Sequence, residues 1–214
     1  MIKFANKIIK ILITSDFILN LGWGLVSPIF AIFIVENITS KGPLEAAKIA
    51  GFASLFYWIT KSILQVPIGR YLDKNHGEKD DFWFMVIGTF LAALVPIGYL
   101  FSFLPWHIYL LQILHAVAMS MAFPSWLAIF TRHIDKGREA FEWSMESTFL
   151  SAGAGIAGGL GGVLVGIFGF NAVFIIVTVL DIVSAVLLIF IKKDLSLINK
   201  DTPRMVPARP FVEP

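Results

Sequence analysis

Residues 11–35 read ILITSDFILNLGWGLVSPIFAIFIV, an apolar run interrupted by one charge, Asp16. An α-helix rises ~1.5 Å per residue, so about 20 residues cross a ~30 Å hydrocarbon core. This run is long enough to cross. Outward from it lie five more of similar length, at Ala46–Arg70, Phe82–Phe103, Ile108–Thr131, Met145–Phe168 and Asn171–Ile191. Helices of a soluble domain would carry polar faces, and these barely have them. The pattern predicts an all-α bundle of six transmembrane helices over residues 1–193. Residues 194–214, proline-bearing and of mixed charge, read as a disordered cytoplasmic tail. Composition agrees: 57% of the 214 residues are hydrophobic and 15% charged, and mean hydropathy is +0.79. A soluble domain carries about a quarter charged residues.

The basic residues fall mostly on one side. Lys3, Lys7 and Lys10 precede the first run, and Arg70, Lys74 and Lys79 lie between the second and third. Arg132, Lys136 and Arg138 follow the fourth, and Lys192, Lys193, Lys200, Arg204 and Arg209 follow the sixth. The opposite loops hold only Lys41 and Lys48. By the positive-inside rule both termini are cytoplasmic, in a multi-pass protein of the plasma (inner) membrane. The first run is too long for a signal peptide and no small-residue cleavage site follows it. The chain has no cysteine, which excludes disulfides, thiolate nucleophiles and Cys-based metal sites. It contains no H-E-x-x-H, no G-x-S-x-G, no phosphate-binding loop and no dinucleotide fingerprint. No enzyme activity, cofactor, metal or nucleic-acid partner is therefore expected.

Polar side chains inside the spans are the candidate functional residues, because a mid-bilayer charge costs about 2.5–3.5 kcal/mol on insertion scales. Asp16, Asn20, Trp23 and Ser27 share one face of the first span. Asp16 either points into a cavity there or reaches interfacial water. Lys61 sits about 14 Å from the inner end of the second span, further than a lysine can fully snorkel. It serves a solute or coupling ion, or forms an ion pair; Asp181 in the sixth span lies at a compatible depth. Gln112 and His115 share a face of the fourth span with Met119. His115 is either a helix–helix hydrogen-bond donor or, with a reference pKa of ~6.5, a coupling group. Glu142 and Glu146 open the fifth span at the interface.

That fifth span is nearly all small residues from Ser151 to Gly162. Small side chains let helix backbones approach closely in lipid. Ser147, Ser151, Gly155, Gly158 and Gly162 fall on one stripe, read as a tight helix–helix seam or as one that slides. Loops near Leu104–His107 and Gly169–Phe170 are short, making their flanking helices antiparallel neighbours. The loops Tyr71–Asp81 and Arg132–Ser144 are longer and charged. Two three-helix units related as an inverted repeat suit this order.

After the second run the chain reads Pro67-Ile-Gly69-Arg-Tyr-Leu-Asp73-Lys74-Asn-His-Gly77-Glu-Lys79. This resembles the signature of the major facilitator superfamily, approximately G-x-x-x-D-[RK]-x-G-[RK]. Gly69, Asp73 and Lys74 match in spacing, and one extra residue precedes Gly77. Asn20-x-Gly22-x-Gly24 with Pro28 looks like that family's first helix. Gly153, Gly161 and Gly162 match its span-five pattern G-x-x-x-G-P-x-x-G-G, with Ala157 and Gly158 between them. Two positions depart: the span-four arginine of proton-coupled members is Gln112 here, and the span-five proline is Gly158.

The resemblance covers six spans, half of the usual twelve-helix carrier. It implies a half-sized secondary active transporter of a small solute, working by alternating access as a homodimer or with a partner half. Asp16, Asn20, Lys61, Gln112 and His115 would touch the solute or a coupling ion, proton or sodium. Gly69, Asp73, Lys74 and Gly77 would form the gating loop, and Gly153, Gly158, Gly161 and Gly162 would pack helices. The alternative is a non-transporting accessory protein or a remnant of a twelve-helix carrier. An intramembrane enzyme built on His115 with Asp16 or Asp181 is disfavoured, because those residues sit at different depths.

Overall fold

The computed structural model describes residues 5–74 and 78–198. Helix α1 (Lys7–Asn37) starts at Asn6, whose side chain accepts from the Ile9 N–H at 3.0 Å. That bond satisfies one of the amides a helix start leaves orphaned. Gly42, at φ +87°, makes the turn into α2 (Pro43–Lys74), and Pro43 suits a first helical turn because its φ is already fixed. The third apolar run forms two helices, α3 (Glu78–Ala93) and α4 (Val95–Leu100). Pro96 has no N–H to return to Ala92 and disfavours helix before it, so the break falls at Leu94. Helix α5 (Pro105–His133) again opens on a proline. Helix α6 (Glu139–Ile189) and the short α7 (Lys192–Ile198) complete the order.

Five of these stretches are long and apolar enough to cross a membrane. The last holds α6, which runs for 51 residues. Straight, it would measure about 77 Å, more than twice a hydrocarbon core. It is not straight: Gly169 has φ +78° and ψ 168°, a non-helical conformation that glycine adopts without a Cβ penalty. The two arms run oppositely along α1. On the first, Gly153 meets Phe17, Ala157 meets Gly24 and Gly161 meets Leu25 and Pro28, so both chains ascend together. On the second, Ser184 bonds Ser15, Asp181 and Val177 adjoin Gly22, and Phe174 stacks edge-on to Phe33, so the order is reversed. Gly169 is where the chain turns back.

Other contacts fix the remaining helices. Helix α3 packs antiparallel to α5, with Gly88 against Ala118 and Ala122. Helix α2 lies parallel to α5 through Phe56–Tyr109, Tyr57–His115 and Lys61–Phe123. The apolar core has two parts. One gathers Phe33, Tyr99 and Phe174, the other Ile9, Leu12, Met85 and Phe130. Asp16 to Trp23 of α1 fall between them, where the polar site lies.

Two expectations are corrected at the basic end of the bundle, the end carrying Lys7 and Arg132. The loop expected over 132–144 shrinks, because α6 already begins at Glu139. Its first polar turns are helical beyond the apolar run. The expected tail also begins in α7, where Leu195 is buried and Asp194 pairs with Lys7 at 2.8 Å. An apolar side chain with a core to reach overrides the local charge pattern. Residues 199–214 of that tail lie outside the described residues.

Candidate functional site

A cavity of about 550 Å³ lies between the two parts of the core, lined by α1, α2, α5 and the first arm of α6. Asp16, Asn20, Lys61, Gln112 and His115 all face it. They arrive there because each stands on the inward stripe of its helix: 16, 20 and 23 on α1; 54, 57 and 61 on α2; 112, 115 and 119 on α5. These are helical i, i+3 and i+4 spacings, so each helix contributes a ladder of side chains to one wall.

The cavity differs along its length. Towards the basic end, Asp16 is joined by Glu146 of α6, and the two carboxyl groups adjoin. Asn20 donates to the Asp16 carbonyl at 2.8 Å, tying its amide to its own helix. Away from that end, His115 is 8% exposed and sandwiched by rings. Trp23 stacks on it at 3.9 Å and 11°, and Tyr57 lies at 5.0 Å. Such contacts fix the imidazole plane while leaving its nitrogens without a hydrogen-bond partner among the described residues. Gln112 donates to the Tyr99 hydroxyl at 3.0 Å.

Lys61 holds its ammonium among aromatic faces: 4.8 Å from Phe123, 5.3 Å from Trp58 and 5.7 Å from Tyr57. Each exposed cation–π contact is worth about 0.5–1 kcal/mol. No ion pair joins it to Asp181. That carboxyl is fully buried behind Trp23 and next to Gly22, on the far side of α1 from Lys61. Compatible depth did not bring the two together, because they face opposite sides of the same helix.

The small residues of α6 divide. Gly153 and Gly161 are buried against α1, and a Cβ on Gly161 would collide with the Leu25 carbonyl and Pro28. Gly158 and Gly162, with Gly155, have open space where a Cβ would stand. The packed seam is Gly153–Ala157–Gly161, on the other side of the arm from the expected stripe of Ser147, Ser151, Gly155, Gly158 and Gly162. At the end of α2, Asp73 and Lys74 are exposed, and a Cβ on Gly69 would meet nothing within 4 Å. Gly77 lies outside the described residues.

Sequence reading missed Glu146, assigned to the interface, together with Tyr57 and Phe123. A signal for Glu146 existed. It precedes Gly153 and Ala157 by seven and eleven residues, which puts it on the same helical face as the seam against α1. Tyr57 and Phe123 carried no such signal, since an aromatic ring in an apolar span reads equally as lipid-facing.

These features define a multi-pass membrane protein with a polar cavity held inside an apolar bundle. A family model of the Major Facilitator Superfamily matches residues 12–213, nearly the whole chain. The chain belongs to that superfamily, whose members are membrane transporters of small molecules rather than enzymes. No curated protein matches it.

Proposed function

We propose that this chain forms one six-crossing half of a secondary active transporter. It carries a small solute by alternating access and shares its cavity with a second six-helix bundle. Each arm of α6 then crosses the membrane separately, giving two three-helix units with both termini on the cytoplasmic side. The observation that carries this reading is the cavity itself. Five polar side chains from three helices converge on it, with α1 and α5 behind. Helices α2 and α6 flank it, each packed on other helices: α2 on α5 and α1, α6 on α1 and α3.

The outward faces of those flanking helices support the second bundle. Phe52, Leu55, Ile59, Ile63 and Val66 of α2 are exposed, and the Gly155–Gly158–Gly162 stripe of α6 is open. Lipid gives no reason for a stripe of glycines, whereas a neighbouring helix does, since close backbone approach needs them. A second copy of this chain, or a separate partner half, fits there. Asp16, Asn20, Lys61, Gln112 and His115 contact the solute or the coupling ion, and Asp73 with Lys74 gates at the end of α2.

The test is uptake by proteoliposomes from a panel of sugars, amino acids and organic ions, with and without a pH or sodium gradient. Gradient-dependent accumulation of one solute supports carriage, and leakage-level flux for the whole panel favours the accessory-protein reading. Replacing Gly158 and Gly162 together by Leu tests the companion bundle. Loss of the crosslinked species with an unchanged melting temperature supports it. A wild-type protein that is monomeric and uncrosslinked in mild detergent removes it.

A further inference from the structure

Behind the cavity lies a second polar site on the second arm of α6. Asp181 is fully buried, and neither of its carboxyl oxygens accepts a hydrogen bond. Thr178, one turn away on the same face, is buried with its hydroxyl equally unpartnered. Buried polar atoms in folded proteins are nearly always satisfied, so three together call for a reason. Across from them on α1, a Cβ at Gly22 would stand 3.0 Å from Asp181 Oδ1. Glycine there leaves the carboxyl its room. The indole N–H of Trp23 lies towards the same carboxyl without donating to it. No lysine or arginine pairs with Asp181 among the described residues.

A carboxylate in hydrocarbon without a counter-charge is expensive and marks ion pathways. Three oxygens with free lone pairs suit a hard cation. The ring face of Trp23 is stacked on His115, which lines the solute cavity, while its N–H edge is turned to Asp181. Trp23 therefore adjoins both the cavity and the surroundings of Asp181.

We propose that Asp181, with Thr178 beside it and Gly22–Trp23 opposite, binds the coupling cation, proton or sodium, and that Trp23 links its occupancy to the solute cavity. This rests on the transport reading for its purpose, and its chemistry is testable without any solute. A solute that moves the Trp23–His115 stack changes the cation's surroundings, and the effect must be reciprocal.

The experiment is intrinsic tryptophan fluorescence of the purified full chain in detergent. Sodium chloride is titrated against choline chloride at fixed pH, and pH is then varied in choline chloride. A response to sodium assigns sodium, and a response to pH alone assigns the proton. Either response should disappear in Asp181→Asn. The ionisable groups on the surrounding elements are Asp16 on α1, His115 on α5, Glu146 on the first arm of α6 and Lys61 across the cavity; those of α3 sit at the basic end. Glu139→Gln, exposed at the start of α6 and outside the cavity, should retain the response. Trp23→Phe should lose the fluorescence change yet keep the cation-dependent rise in melting temperature, which Asp181→Asn lacks. A wild type silent to both cations overturns the proposal, as does an Asp181→Asn protein that titrates normally. Should Asp181→Asn fail to fold, Asp181→Glu must shift the midpoint at least threefold, and a wild-type midpoint overturns the assignment. Because the readout needs no flux, absence of solute transport in proteoliposomes and absence of this site are separate results.

Discussion

Charge is held in two ways at two levels of this bundle. At the basic end, buried Asp81 and Glu78 of α3 meet Arg132 and His133 at the end of α5: Arg132 pairs with Asp81 and lies 3.6 Å from Glu78, and His133 lies 3.1 Å from Glu78. In the cavity, Lys61 sits among aromatic rings with no ion pair among the described residues, and Asp16 faces another carboxyl. Both levels lie within the helices, so burial alone does not distinguish them. Pairing does. Charges matched to opposite charges hold helix ends together, and charges left unmatched are available to something else.

The comparison is broken most forcefully at Arg132. Arg132→Gln removes a cation from beside buried Asp81, and breaking a fully buried pair from one side costs about 3–5 kcal/mol, an upper bound here because Arg132 is partly exposed. The expected outcome is a large fall in melting temperature. Replacing both partners, as Arg132→Met with Asp81→Leu, should recover most of it, because paired removal is often near neutral. A single variant that melts like wild type would mean the cluster is not structural.

Lys61→Met sharpens the other side. It removes cation–π contacts worth about 0.5–1 kcal/mol each at exposed sites while keeping the apolar stem, so the melting temperature should move little. Solute flux should fall sharply or change its coupling. If Lys61→Met melts as low as Arg132→Gln with flux per folded molecule intact, the cavity charge is structural and the distinction collapses.

Much of this molecule could be read from the chain alone. The apolar runs located the long helices, and the helical phase of Asp16, Asn20 and Trp23 placed one wall of the cavity. Phase works there because three polar residues in an apolar helix have few other places to go. It failed for the α6 seam: the arm is small-residued on both sides, so Gly153–Ala157–Gly161 and Gly155–Gly158–Gly162 were equivalent until α1 was positioned. Depth arguments failed for Lys61 and Asp181, since depth carries no azimuth. The break at Leu94 was readable from Pro96, but an apolar run conceals it. Short-range rules see a single helix, and these choices are made between helices.

The smallest effect on stability is expected at Asp73. It stands exposed at the end of α2, so Asp73→Asn should change stability by no more than about 0.5 kcal/mol. Its charge is nonetheless unmatched in the sense that Lys61 is, held at a helix end with no ion pair among the described residues. If unmatched charge marks working parts, Asp73→Asn should slow uptake several-fold while the melting curve superimposes on wild type. Asp73→Glu, which keeps the charge on a longer arm, should recover part of the rate. Normal uptake by Asp73→Asn would confine the distinction to the cavity and leave the α2 end with a role only in orienting the chain during insertion.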